Sequence, residues 1–351
     1  MHIVLVTGGC GYIGSHTVLS FLEKGFVVYI IDSHFKSNPK VIQKLEKIIL
    51  NKDKNLINNL VFFKGDLRIK DDLEKVFIYA KEKKCKIEAV IHLAGLKAVQ
   101  ESVKKPLLYW DYNLIGTINL LKVMNDYYCR NLIFSSSATI YENTENLIRE
   151  DFSIKPINPY GKTKSSIESL LEDIYNSEKG KWKIINLRYF NPIGAHSSGD
   201  IGEDPIGIPN NIFPLILQVA SRRLRELKIY GNNWDTRDGT CIRDYIHVSD
   251  LANAHLAAFE FLFKNGHQIT NLNIGTGKGT TVLELIKTFK EVNKVDLPYS
   301  FVSRREGDQK YVVADNSKAL SILNWAPIKT LEDMCKDGWN WQIKNPKGYI
   351  D

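Results

Sequence analysis

The chain has 351 residues, 44% hydrophobic and 25% charged, with 23 Gly and 11 Pro. Such a composition excludes a disordered segment, a collagen-like repeat and a small disulfide-stapled scaffold, and a chain of this length buries roughly three quarters of its unfolded surface. The 47 basic and 40 acidic residues leave a formal net charge of +7, with basic knots at 81–86 and 222–228 that read as solvated helix faces; lacking an aromatic-interleaved basic stripe, the chain is expected to have no nucleic-acid partner.

In chain order, Ile3–Thr7 reads as a first buried strand, entered without the charged-then-apolar layout of a signal peptide. A helix is predicted over Ile13–Lys24, a strand over Val27–Ile31, a helix over Pro39–Leu50, a surface loop over Lys52–Asn59 and a strand over Leu60–Lys64. The pattern continues with a helix at Lys70–Lys81, a strand at Ala89–Leu93, one long helix at Pro106–Met124, a strand at Asn131–Ser135, a helix at Tyr160–Tyr175 and a strand at Lys183–Tyr189. Strands alternating with helices at this spacing point to an α/β fold with a doubly wound parallel sheet of the Rossmann type. Beyond Asn191, Gly and Pro crowd the chain and the alternation weakens. Residues 1–189 are therefore expected to form a nucleotide-binding domain and 190–351 a smaller α/β substrate-binding domain, with part of 236–262 returning to the first.

No apolar stretch approaches the ~20 residues that span a bilayer, so no membrane partner is expected. The five cysteines are odd in number and widely spaced, with no C-x-x-C and no His/Cys cluster of zinc spacing. Reduced thiols in a cytoplasmic protein, and no metal, are the expectation.

Gly8-Gly9-Cys10-Gly11-Tyr12-Ile13-Gly14 follows the first strand and opens the first helix. Glycines at this spacing let the backbone of Gly8, Gly11, Tyr12, Ile13 and Gly14 approach a pyrophosphate, which the helix N-terminus stabilises. Asp32, 18 residues past Gly14, ends the second strand where a carboxylate accepts ribose hydroxyls and repels a 2′-phosphate, which favours NAD over NADP; His34 and Lys36 nearby pull the other way. Asp66 and Leu67 follow the third strand, and Leu93, Ala94, Gly95 and Lys97 follow the fourth, where loops at strand carboxyl ends line the cofactor crevice.

Ser135-Ser136-Ser137 ends the fifth strand, and Tyr160 and Lys164 stand one helical turn apart at the start of the next helix. A phenol titrates near ~10, and lowering that by ~3 units takes about 4 kcal/mol. A lysine cation, a positive nicotinamide ring and the Ser137 hydroxyl together can supply it.

With this constellation assembled, the chain resembles the extended short-chain dehydrogenase/reductase family, and within it the enzymes that invert UDP-hexoses at C4. The segments that carry the resemblance are GGCGYIGSH (8–16), HLAGLKAVQESVKKPL (92–107), SSSATIY (135–141), NPYGKTK (158–164), LRYFNPIGAH (187–196), GEDPIGIPNN (202–211), DGTCIRDYIHVSDLA (238–252) and RREGD (304–308). The resemblance implies tightly held NAD and a 4-keto intermediate, with Tyr160 as base, Ser137 assisting at the 4′-oxygen and Lys164 binding the nicotinamide ribose while tuning Tyr160. It implies that Ser135, Asn113 and Tyr189 hold the cofactor, and that Asn191, Asn211, Arg243, Arg305 and Asp308 grip the UDP moiety. Lys228 and Tyr230 match the segment facing uracil, and a homodimer through the helices at 106–124 and 160–175 is implied.

Three departures matter. Related dehydratases carry acidic residues after the strand-end hydroxyl, where this chain has Ala138 and Thr139, which disfavours elimination of water. Glu142 and the Ser33–Lys36 loop differ from the usual pattern. Val312, the fourth residue after Asp308, stands where a large tyrosine accompanies restriction to plain hexoses, so room for an N-acetyl group is expected. The alternative to an enzyme is a non-catalytic scaffold binding NAD or a nucleotide sugar, against which the intact Ser137, Tyr160 and Lys164 set argues. His247 is expected to be structural, and Trp234 a loop or core residue.

Overall fold

The computed structural model describes residues 3–178, 180–207, 209–266, 268–305 and 307–349. Ile208 and Glu306, inside two of the segments quoted above, and Met1 and His2 of the N-terminal reading lie outside the described residues.

The first half runs β1 (Ile3–Thr7), α1 (Tyr12–Glu23), β2 (Val27–Asp32), α2 (Lys40–Lys52), β3 (Leu60–Lys64), α3 (Lys70–Glu82) and β4 (Ile87–His92). It continues through α4 (Val99–Lys104), α5 (Pro106–Tyr109), a π-helical segment (Trp110–Ile115), α6 (Gly116–Asp126), β5 (Asn131–Ser137), α7 (Pro159–Ser177) and β6 (Lys183–Tyr189). The second half holds β7 (Asn191–Ile193), α8 (Ile212–Ala220), β8 (Leu227–Tyr230), β9 (Ile242–Arg243), β10 (Tyr245–His247), α9 (Val248–Lys264) and β11 (Gln268–Ile274). After these come β12 (Thr280–Thr281), α10 (Val282–Asn293), β13 (Tyr299–Val302), β14 (Tyr311–Val312), α11 (Ser317–Leu323) and α12 (Leu331–Lys344).

Among the described residues the main sheet has seven strands in the order β11-β6-β5-β4-β1-β2-β3, every neighbouring pair parallel. Period-two alternation assigns each strand's side chains to two cores. Val4 and Val6 pack with α1, α2 and α9 on one face, while Ile3 and Leu5 pack with α3, α6 and α7 on the other. Such a sheet, covered on both faces, leaves the carboxyl ends of its strands as the open edge, and the glycine loop, Asp32, Asp66, Leu93 and Ser137 all lie there.

Three expectations are corrected. The helix predicted over 106–124 is interrupted by the π-helical turn, which buries Asn113 at 2% exposure; such wide turns inside helices commonly mark functional positions. The loop at 52–59 contains a short 3₁₀ helix over Lys54–Asn59, capped by Asp53, whose carboxylate accepts from the Asn55 amide. The chain also returns to the main sheet beyond 262: α9 lays Phe259 against Phe21 and Phe26 of the α1–β2 corner (ring centroids 5.3 and 5.0 Å apart), and β11 pairs with β6. A further core, around Phe213, Leu217, Leu285, Phe289 and Met334, sits among α8, α10 and α12. Among the described residues no helix is long and apolar enough to cross a membrane.

Candidate active site

The glycine loop is built for close approach. Gly8 has φ +69°, and a Cβ there would stand 2.7 Å from the Ala94 amide nitrogen; one on Gly14 would stand 2.2 Å from the Gly8 carbonyl oxygen. Any side chain at either position closes the gap between β1, the loop after β4 and the first turn of α1. That turn has no acidic residue and no side-chain cap, so its N–H groups are free to face an anion.

One groove runs along the sheet edge, lined by Gly8, Gly11, Tyr12, Ile13, Gly14, Asp32, Asp66, Leu67, Leu93, Ala94, Gly95, Lys97, Ser135, Tyr160, Lys164, Tyr189 and Asn211. Asp32 is buried, and one carboxylate oxygen accepts from the Cys10 amide (3.0 Å) while the other accepts from the His34 amide (2.9 Å) and the Ser37 hydroxyl (2.8 Å). Asp66 is held by Arg68, whose guanidinium donates to both carboxylate oxygens, the shorter contact being 2.7 Å, and also to Asp111. The Arg68 bonds hold the Asp66 carboxyl below the usual carboxylate range. Lys97, expected to line the cofactor crevice, lies at the rim in an ion pair with the buried Glu203 at 2.7 Å.

Asn113 works through the chain itself. Its Oδ1 accepts from the Leu96 amide (2.7 Å), and its Nδ2 donates to the Leu96 carbonyl (3.1 Å) and to Thr163 Oγ1 (3.0 Å), pinning the loop after β4 against α7. His92 bridges Thr7 and Thr117, 2.8 Å on each side; burial, helped by the Lys164 charge, pulls its pKa down to about 3. It is a neutral tie between β4 and its neighbours.

At the groove's inner end, Asn158 caps α7 by accepting from the Gly161 amide at 2.9 Å, and Pro159 occupies the first turn. That start places Tyr160 and Lys164 one turn apart on the buried face. The Ser137 hydroxyl acts on the Tyr160 phenol, favouring its ionised form, and accepts from the Thr139 amide (3.2 Å) and hydroxyl (3.0 Å). Lys164 Nζ donates to the Ser135 carbonyl at 2.6 Å and lies 4.8 Å from the Phe134 ring centroid. Burial pulls its pKa down to about 7, against the opposing pull of Glu168 one turn further on. Burial also pushes the Tyr160 phenol up, and Ser137 works in the other direction. Among these protein groups Ser137 alone offsets part of the cost that burial places on a phenolate. Tyr189, on β6, is hydrogen-bonded to His255, and burial raises its phenol.

Most of the second set of expected residues lies on or near β8, β9 and β14, with Asn211 on the groove and Asn191 on β7. Val312 pairs in register with Arg243, and its side chain packs on the cluster of Ala138, Ile140, Tyr141 and Phe190 rather than on the cofactor groove. Arg243 donates to the carbonyls of Ile242 and Gln309, both at 2.8 Å, and lies 4.0 Å from Asp308. Arg305 stacks 4.1 Å over the Tyr230 ring, and its buried Nε has no partner among the described residues. A buried guanidinium nitrogen with no protein partner is suited to an anion. Lys228 pairs with Glu226 and donates to Ser300, while Asn211 precedes α8 and Asn191 starts β7. His247 caps α9, accepting from the Ser249 amide at 3.0 Å, and Trp234 stacks 3.9 Å from the Arg304 guanidinium at the edge of the second-half core.

Sequence reading passes over the groups that support this site. Glu203, Glu168 and Arg188 act through partners 106, 32 and 20 residues away. The one local signal is the i, i+4 spacing of Lys164 and Glu168 on α7.

The family model for GDP-mannose 4,6 dehydratase matches residues 5–338. The bifunctional UDP-glucose 4-epimerase and UDP-xylose 4-epimerase 1 of Pisum sativum is 48% identical over 348 residues, covering 99% of this chain and 97% of the relative. Among solved structures, the UDP-glucose 4-epimerase of Stenotrophomonas maltophila with bound NAD and formylated UDP-arabinopyranose superposes with a TM-score of 0.92 at 41% identity, covering 99% of both chains. The UDP-glucose 4-epimerase of Bifidobacterium longum in complex with NAD+ and UDP gives 0.90 at 42% identity, again over 99% of both. The chain belongs to the extended short-chain dehydrogenase/reductase family, in its UDP-glucose 4-epimerase branch.

Proposed function

We propose that the protein is an NAD-dependent enzyme that reversibly epimerises UDP-hexoses at C4. The observation that carries this is the pair of Tyr160 and Lys164 lining a groove that begins at the glycine loop, with Ser137 acting on the Tyr160 phenol. The tight Gly8–Gly14 cradle and the buried Asp32 at the end of β2 fit a dinucleotide. Engagement of Lys36 by Glu101, 3.3 Å away, supports NAD over NADP, because that cation is already paired. Bound NAD supplies an acceptor that takes the C4 hydride and returns it, together with a positive ring.

The chain's residues do the rest. Tyr160 accepts the 4′-hydroxyl proton while Ser137 donates to the developing oxygen, and Lys164 favours the phenolate. Arg243 and Arg305 grip the diphosphate, with Asn191, Asn211, Lys228, Tyr230 and Asp308 completing the nucleotide pocket. Holding the substrate by its nucleotide leaves the 4-keto sugar free to turn its other face before the proton and hydride return. In this reading residues 1–189 bind NAD and 190–351 bind the UDP-sugar, with α9 and β11 serving the first unit. Exposed Val103 and Leu107 near α5, and Ile115 in the π-helical segment, support a homodimer through this face, and five unpaired cysteines support a cytoplasmic setting.

Purified protein given UDP-galactose without added cofactor is expected to yield UDP-glucose, and denaturation is expected to release NAD. Protein that binds NAD and UDP yet turns over no UDP-hexose is instead a binding scaffold. The small Val312 side chain supports acceptance of N-acetylhexosamines as well. Turnover of UDP-GlcNAc beside UDP-glucose is expected, and Val312→Tyr is expected to suppress the former selectively. Full activity on UDP-glucose with none on UDP-GlcNAc in the unaltered protein rules out the wider range.

A further inference from the structure

The loop Ser33–Asn38 follows β2 and is anchored at its base, where Asp32 accepts from the His34 amide and the Ser37 hydroxyl. Its tip reaches across to the segment that follows β4. Phe35, 45% exposed, stacks on Tyr112 with ring centroids 4.7 Å apart and planes inclined by 28°. The next residue, Lys36, pairs with Glu101 at 3.3 Å, and Glu101 in turn accepts from the Tyr109 hydroxyl at 3.1 Å. The receiving side is rigid: Arg68 lies 3.7 Å from the Tyr112 ring centroid, donates to its hydroxyl at 3.0 Å, and is itself locked by Asp66 and Asp111. All four bridging residues line the groove, at the end bordered by Asp32, Asp66 and Leu67. Two adjacent loop residues thus make two separate contacts from one bank of the groove to the other.

We propose that Phe35 with Tyr112, and Lys36 with Glu101, form a clasp over the adenosine end of the groove that retains bound NAD. The proposal rests on reading the groove as an NAD site. A dinucleotide seated between Asp32 and Asp66 leaves this end only when both contacts part. A stacked aromatic pair contributes roughly 0.5–1.5 kcal/mol beyond its buried area, a factor of about 2–12 in a rate. A partly exposed ion pair adds about 0–1 kcal/mol, a factor of up to about 5. Phe35 is therefore the stronger half of the clasp.

The test is the rate at which NAD leaves the holoprotein, followed as NADH fluorescence when an excess of an NAD-reducing dehydrogenase and its substrate trap each released molecule. Phe35→Ala is expected to release NAD roughly fivefold faster than the unaltered protein, Lys36→Ala roughly twofold faster, and Phe35→Trp, which keeps a stacking ring, at close to the original rate. Release from Phe35→Ala at the unaltered rate overturns the clasp. Equal acceleration in Phe35→Ala and Phe35→Trp overturns it too, since a stacking ring is then not what holds the loop. Failure of the unaltered protein to yield or take up NAD is a different result, and overturns the reading of the groove together with the clasp.

Discussion

Tyr160→Phe lowers turnover of UDP-galactose by about 10²–10⁴, the usual range for loss of a positioned acid–base group. The corresponding rise in barrier is about 3–5 kcal/mol. Phenylalanine keeps the ring where α7 holds it, so unfolding is not the cause: the variant is expected to show the same circular dichroism and the same NAD content. Activity above a tenth of the original removes Tyr160 as the base. The pH profile carries the same argument. The base works only when deprotonated, so turnover climbs with pH on its acid side. Burial already pushes the Tyr160 phenol up, with Ser137 opposing, and Lys164, one helical turn further on, is the cation proposed to favour the phenolate. Lys164→Met removes that cation, and the rising limb of kcat moves to higher pH. A limb that stays in place shows that Lys164 does not tune the phenol.

The second large effect is on stability. Glu168 and Arg188 are 7% and 1% exposed and meet in a bidentate pair, with contacts of 3.0 and 2.6 Å. The Ser136 hydroxyl donates to the same carboxylate at 2.5 Å, and Arg188 extends to the Tyr141 hydroxyl and the Glu150 carbonyl. Arg188→Met strands a buried carboxylate. It is expected to cost about 3–5 kcal/mol, read as a drop of roughly 4–7 °C in Tm. Adding Glu168→Gln removes the stranded charge while leaving an acceptor for Ser136, and is expected to recover most of the loss. A single variant as stable as the parent shows that the pair contributes nothing net. A double variant no better than the single shows that lost packing around the Arg188 stem, rather than the stranded charge, sets the cost.

These two sites also differ in how they can be read. Tyr160 and Lys164 are legible because their relation is local: a capped helix start and a spacing of four residues place both on one face wherever the helix packs. The glycine loop is legible for the same reason, since strand, turn and helix are contiguous. Glu168 and Arg188 belong to different elements, and nothing in either segment announces the other. The same holds for β11, whose sequence QITNLNI carries polar residues at four of its seven positions. Asn271 accepts from Asn186, while Asn273 takes the Tyr141 hydroxyl and gives its amides to Glu150 and to the Ile148 carbonyl. With those partners unseen, the segment does not read as a buried strand.

The loop after β2 shows the division most clearly. Asp32 at the end of a parallel strand was enough to favour NAD, while Lys36 left that preference contested until its partner was visible. Lys36 and Glu101 are 65 residues apart and Phe35 and Tyr112 further still. The chain's length, charge balance, strand–helix alternation and locally spaced motifs are determined by the sequence alone, because each depends on backbone periodicity within one or two elements. Which charges are already spent, which carboxylates are locked, and which aromatic closes the groove were decided by the tertiary structure. Those properties are pairings across the sheet edge, and no local pattern encodes a partner that only folding brings within reach.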